Sequence, residues 1–275
     1  MKLPPDFRFS QYSLQDYLDC PRRFLLRHVL RLAWPAEESQ PVLEQEAKLA
    51  LGSRFHQLAQ QAAAGVPADL LAQQVAGEQP LEDWWRNFQQ AGLPGSGGLR
   101  RAEHRLAATW QGFPLMAVYD LIAANENGEF TIYDWKTAER RPRRDALRQR
   151  IQTRLYPFLL CLAGASLNGG QPIAPETLRM VYWFPNFPAA PEVFDYNAEK
   201  QAANGRYLEG LLGEIAARQE DEFGLTAEQR RCTYCVFRSY CDRGLSAGNL
   251  EDQEDLDEAD QEFSLDFEQI AEIAF

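Results

Sequence analysis

No stretch of this chain approaches the length of a membrane span, and its first residues, Met1-Lys2-Leu3-Pro4-Pro5-Asp6, lack the apolar run of a secretory signal. No membrane partner is expected, and the setting expected is cytoplasmic and reducing. Cysteine is sparse, at five in 275 residues, so thiols or metal ligands are expected rather than a disulfide framework. There is no Gly-x-x-x-x-Gly-Lys, hence no nucleotide-driven motor, and any unwinding would have to come from a partner. Basic residues vanish at one end: from Gly244 to Phe275 there is neither Lys nor Arg, against eleven acids.

That asymmetry changes the meaning of the net charge. The chain as a whole carries −12, but the acidic stretch accounts for all but about −1 of it. In the nearly neutral remainder, Arg140, Arg141, Arg143, Arg144, Arg148, Arg150 and Arg154 fall within fifteen residues, opposed only by Glu139 and Asp145. A surface that meets a phosphate backbone at one place and a solvated helix face both fit this patch. With 45% hydrophobic residues the chain can bury one sizeable core. The expected division is one folded domain over 1–245 and an acidic, disordered tail over 246–275. The tail ends Asp266-Phe267-Glu268-Gln269-Ile270-Ala271-Glu272-Ile273-Ala274-Phe275, an alternation suited to recruiting a replication or repair protein, or to covering the arginines as a DNA mimic.

Periodicity predicts helices first. Ser10 or Ser13 caps one that is interrupted at Cys20-Pro21, a second runs from Glu44 to Ala64, and helical signal continues from Ala68 to Gln90 until Gly95-Ser96-Gly97-Gly98. Three strands follow, Arg101–Trp110, Leu115–Ala123 and Glu129–Trp135, with turns at Gln111-Gly112 and Asn125-Glu126-Asn127-Gly128. A helix over Asp145–Leu162, strands near Arg179–Phe184 and Glu192–Tyr196, and a helix over Ala198–Arg218 complete the order. This predicts an α/β (α+β) fold with a mixed central sheet flanked by helices.

The chemistry centres on Asp134-Trp135-Lys136 at the end of a strand. Alternate strand residues share a face, so a carboxylate and an ammonium are delivered together, as a metal-dependent phosphodiesterase requires. An exposed ion pair would give the same tripeptide. Asp120 ends the neighbouring strand and brings a second carboxylate, though a strand-end Asp is commonly a turn residue. Gly52 and His56 lie four apart on one helix, the glycine permitting close approach and the histidine reaching the sheet edge; Gln152 and Tyr156 repeat that spacing. Finally, Cys232-Thr233-Tyr234-Cys235 and Cys241 form Cys-x-x-Cys-x5-Cys, with Cys20 far upstream. Spacing alone permits a four-cysteine zinc site. Cys161, in an apolar run, reads as packing.

The ordered set Gly-x-x-x-His, Asp120, Asp-x-Lys, Gln-x-x-x-Tyr resembles the PD-(D/E)xK nuclease superfamily, in particular RecB-like and AddB-like exonucleases and CRISPR-associated adaptation nucleases. The text Ser10-Gln11-Tyr12-Ser13-Leu14-Gln15-Asp16-Tyr17-Leu18-Asp19-Cys20-Pro21-Arg22-Arg23-Phe24 is similar too, and the likeness spans Ser10 to about Arg243. The resemblance implies a restriction-endonuclease-like fold with a helical N-terminal part and a cysteine-clamped C-terminal segment. It implies Mg(II) or Mn(II) on His56, Asp120, Asp134 and the Trp135 carbonyl, with Lys136 activating water and Glu103 assisting. It implies substrate placement by Gln152 and Tyr156, and phosphate contacts by Arg140, Arg141, Arg143, Arg144 and Arg148. Cys20, Cys232, Cys235 and Cys241 would hold a four-iron four-sulfur (4Fe-4S) cluster, zinc being the alternative. The implied activity is a DNA exonuclease on single strands or ends, in repair, recombination or defence. A catalytically silent iron–sulfur DNA-binding subunit of a helicase is the competing class. Ala117 and Leu121 stand where the family usually has Gly and Arg, and Pro157 follows Tyr156.

Overall fold

The computed structural model describes residues 3–33, 40–92, 98–233 and 235–244. The acidic tail, Gly95 to Gly97 and Tyr234 lie outside the described residues. The chain divides into two compact units, one of residues 1–49, 109–115 and 207–275, the other of 50–108 and 116–206.

In the first unit, helix α1 (Gln11–Asp19) begins where the serines allow: Ser10 caps it and Ser13 reciprocates, each side chain bonding the other's backbone N–H. It ends at Cys20, whose extended backbone (φ −159°, ψ 105°) breaks the run before Pro21 starts α2 (Pro21–Phe24). Phe24 packs edge-on to Phe7 and Tyr17 and stacks on Phe223 at 6.0 Å. Under this aromatic cluster lies a buried ionic one. Asp16 meets Arg23 Nε at 2.6 Å, Arg27 Nη1 at 2.9 Å and His28 Nε2 at 2.8 Å.

Helix α3 (Gln40–Ala63) carries the predicted glycine and histidine, and α4 (Ala68–Val75) and α5 (Leu81–Ala91) follow. The sheet consists of β1 (Leu99–Trp110), β2 (Phe113–Ala124), β3 (Phe130–Trp135), β4 (Leu178–Trp183) and β5 (Glu192–Asp195), in that spatial order. The tight connection Gln111-Gly112 has positive φ at both residues (49° and 83°), the requirement of a two-residue hairpin turn. Between β2 and β3, Asn125 Oδ1 accepts from the N–H groups of Asn127 and Glu129, and Gly128 takes φ 76°. β2 and β3 are antiparallel, β3 and β4 parallel, β4 and β5 antiparallel. The parallel pair needs a crossover, supplied by α6 (Arg144–Gln149) and α7 (Ile151–Ala163). The result is the expected mixed sheet flanked by helices, with α8 (Ala198–Ala217) after it.

One expected helix, Asp145–Leu162, is two: Arg150 is extended (φ −60°, ψ 141°) and separates α6 from α7. Pro157 lies inside α7, which continues through it to Ala163. In the second unit the core joins Phe55, Leu58, Trp84, Trp85 and Phe88 of the helices to Leu121, Trp135 and Trp183 of the sheet. Phe88 and Trp135 meet edge-on at 5.3 Å, so the residue between Asp134 and Lys136 is an anchor in the core.

Candidate active site

β2 and β3 pair from Ala124↔Phe130 to Leu121↔Tyr133. Beyond that point a side chain takes over from the ladder: Asp120 Oδ2 accepts from the Trp135 N–H at 2.7 Å. The other oxygen, Oδ1, faces His56 Nδ1 at 3.3 Å. β3 continues its bonding to β4 on the opposite side, Lys136 N–H donating to the Trp183 carbonyl at 2.9 Å. Asp134 and Lys136 are therefore held by backbone on one side and by Asp120 on the other.

Both are buried, at 3% and 8% exposure, and Lys136 Nζ lies 3.0 Å from Asp134 Oδ2. Gln152 of α7, also buried, donates its amide to Asp134 Oδ1. The ammonium lies 6.0 Å from the ring centroid of Tyr182, whose hydroxyl is fixed by Thr153 Oγ1 at 2.7 Å.

His56, Glu103 and Asp120 form the metal-ligand group found among the described residues, one donor atom from each lying within 4.8 Å of the others. Glu103 arrives there by an unusual route. Its φ of 47° is left-handed, rare for a non-glycine residue within a strand, and turns β1 locally as a bulge does. The electrostatics agree with a cation site. Burial opposes charge on the His56 ring, but Asp120 and then Asp134 outweigh it and raise the imidazole to about 9. Removal from water, and next the Asp120 carboxylate, push the Glu103 carboxyl up to about 7. Crowded carboxylates that resist ionising together are what a divalent cation relieves.

The predicted residues thus separate into two groups. His56, Glu103, Asp120, Asp134, Lys136 and Gln152 converge. Tyr156 is buried against Tyr119, ring centroids 4.8 Å apart, with its carbonyl accepting from the Tyr119 hydroxyl at 2.9 Å. Of the arginines, Arg141 and Arg144 both bind the Glu192 carboxylate, and Arg144 packs over Phe194 at 4.5 Å. Arg148 is 61% exposed and touches Asp145 at 3.2 Å. Sequence reasoning missed Glu192, a lone acid on β5 with nothing around it to mark a role. It also missed Thr137: a Cβ on Gly52 would lie 2.9 Å from the Thr137 Oγ1, so the glycine admits the residue directly after Lys136.

Within the first unit, Cys20, Cys232, Cys235 and Cys241 form no disulfide. Burial raises the thiols of Cys232, Cys235 and Cys241, the last to about 11; neighbouring cysteines raise them further, and Arg22, Arg23, Arg27 and Arg243 work against the rise. Thiols whose ionised forms crowd one another beside arginines form a donor set that fits a thiolate-bound metal group. Cys161 is elsewhere, in α7, where burial pushes its thiol up to about 12, as expected of a packed, inert residue.

The family model for the PD-(D/E)XK nuclease superfamily matches residues 8–242. Comparison with curated proteins gave no match. Among solved structures, that of SSO0001 aligns with a TM-score of 0.37 and 13% identity, covering 87% of this chain and 88% of its own. A candidate exonuclease from Eubacterium rectale aligns with a TM-score of 0.44 and 10% identity over 78% of this chain and 86% of its own.

Proposed function

Because the chain belongs to the PD-(D/E)XK nuclease superfamily, we propose that it is a divalent-metal-dependent DNA exonuclease acting on single strands or DNA ends, in repair, recombination or defence. One observation carries the reading: His56, Glu103 and Asp120 converge within 4.8 Å next to the Asp134–Lys136 pair. Mg(II) or Mn(II) bound there would polarise the scissile phosphate and supply an acidic water. His56, Asp120 and Asp134 would hold it, with the Trp135 carbonyl as a further oxygen and Glu103 assisting.

The other residues prepare the reaction. Asp120 can serve without swinging, because the Trp135 N–H fixes its carboxylate plane. Lys136 is held by Asp134 in a dry setting, where a positive charge offsets developing phosphate charge more strongly than in water. Gln152 fixes the same carboxylate from α7, so substrate seated against that helix is registered to the reacting centre. Tyr156 would support α7 through Tyr119. Arg140, Arg143 and Arg148 are exposed and suit flanking phosphates, whereas Arg141 and Arg144 act through Glu192.

The four cysteines would hold a 4Fe-4S cluster. Cys20, Cys232, Cys235 and Cys241 supply the four thiolates that such a cluster takes, and one tetrahedral zinc is the alternative. A DNA-translocating partner, or a repair protein recruited through the acidic tail, would complete the setting.

End-labelled single- and double-stranded DNA incubated with Mn(II) under anaerobic conditions tests the activity. Asp134→Asn and Lys136→Ala are each expected to cut cleavage by at least a thousandfold, with circular dichroism and visible absorption unchanged. A wild-type protein that binds DNA without cleaving it would instead make the chain a silent DNA-binding subunit.

A further inference from the structure

The two halves of the cysteine set are far apart in sequence, and the residue just before each half bridges the gap. Asp19 precedes Cys20, Arg231 precedes Cys232, and Arg231 Nη1 meets Asp19 Oδ1 at 2.5 Å across 212 positions. The bridge is largely sheltered from water, the two side chains being 6% and 25% exposed.

Both ends are themselves braced. Asp19 Oδ1 also accepts from Gln15 Nε2 at 2.9 Å, and its Oδ2 pairs with Arg23 Nη2 at 2.7 Å. Arg231 Nε donates to Glu228 Oε2 at 2.8 Å. Arg231 belongs to the tight turn Gln229–Cys232, closed by Arg231 N to Glu228 O at 3.0 Å and Thr233 N to Arg230 O at 3.1 Å. On the other side, the Cys20 N–H is held by the Asp16 carbonyl at 2.9 Å, and Arg22 N–H bonds the Gly224 carbonyl at 3.0 Å. The bridge therefore joins two backbone segments that are each locally fixed, and each presents a cysteine as its next residue.

Bringing chain ends together costs entropy that grows with the logarithm of loop length. If a bound metal group had to close this loop, that cost would be taken from its binding free energy. The geometry points to Arg231 as a positioning residue for the four-thiol site: through Asp19 it holds Cys20 in register with Cys232, Cys235 and Cys241 before metal arrives. This rests on reading the four cysteines as one metal site.

Arg231→Met is the clean variant. It keeps the stem, it leaves Asp19 with Arg23 and Gln15, and the other carboxylate that loses Arg231, Glu228, is exposed to water. The metal-free full-length protein is titrated anaerobically with Co(II), whose thiolate charge-transfer absorption reports the site; the cluster-loaded protein is challenged with a chelator while its visible absorption is followed. Arg231→Met is expected to weaken Co(II) binding at least tenfold and to speed cluster loss by a similar factor, at an unchanged thermal midpoint of the metal-free form. Arg231→Lys, which keeps the charge but not the planar fork, is expected to fall between. Wild-type Co(II) affinity and cluster lifetime in Arg231→Met would overturn the assignment, and so would a loss in Arg231→Met that tracks only a lowered thermal midpoint and is not relieved by Arg231→Lys. If the wild type shows no thiolate absorption, or Cys20→Ser leaves it unchanged, the four-cysteine reading itself fails.

Discussion

At single residues, position relative to the sheet end decides what a side chain does. Asp120 divides its oxygens between a backbone N–H and the cation site, so it replaces a lost ladder bond and supplies a ligand at once. Gly52 is tied to the same place through Thr137. The four-residue spacing of Gly52 and His56 predicts a close approach of backbone; what approaches is a threonine hydroxyl, which no pattern within one helix could reveal. Adding a methyl group at Gly52 should gain about 0.5–1 kcal/mol of helix propensity. It should also lose about 1–3 kcal/mol by crowding Thr137. Gly52→Ala is therefore expected to be neutral to destabilising in the wild type and stabilising in a Thr137→Ala background. Urea unfolding of the four proteins of this cycle gives the coupling, expected to be about 1–3 kcal/mol. Strict additivity would mean that the contact does not matter.

At the level of elements, turns and strands were legible because their signals are local. Gln111-Gly112 and Asn125 to Gly128 dictate their own backbone, and alternation marks the strands between them. The split between α6 and α7 was not legible, because Arg150 carries no breaker signal and is extended where a helix former would be expected to stay helical. The arginine-rich segment shows the same limit for charge: composition counts seven arginines alike, while packing assigns Arg141 and Arg144 to Glu192 and leaves Arg148 at the surface. Salt dependence separates these roles, since each phosphate contact on a single strand contributes about 0.7 to the slope of log affinity against log salt. In an Asp134→Asn background, anisotropy titrations with a single-stranded oligonucleotide should give a slope shallower by about 0.7 for Arg148→Ala. The Arg141→Ala/Arg144→Ala pair should leave the slope alone and lower stability by about 1–3 kcal/mol, because Glu192 would lose its partners. A reversal of these two outcomes would return Arg141 and Arg144 to the DNA.

Across the whole molecule, the order of motifs was readable but their long-range partners were not. A hairpin relates Asp120 to Asp134 and Lys136 by a short rule, whereas His56, on a distant helix, was joined to them by the resemblance to the nuclease superfamily. The Asp19–Arg231 bridge depends on how segments 212 residues apart are laid together. The same holds for the ionic cluster around Asp16, which sets a global property. Burial works against ionising Asp16, but Arg23, then His28 and Arg27, overcome it and hold the carboxyl well below the ordinary range. A carboxylate depressed in the folded state stabilises the fold above its unfolded pKa of about 3.9, and that contribution is lost as pH falls below it. Asp16→Asn removes the buried negative charge that Arg23, Arg27 and His28 share, so at pH 7 it is expected to cost about 3–5 kcal/mol in urea unfolding. The deficit should shrink steadily between pH 4 and pH 2, as protonation of Asp16 in the unfolded wild type removes its advantage. A gap that stays constant over that interval would mean that Asp16 acts by packing and hydrogen bonding alone.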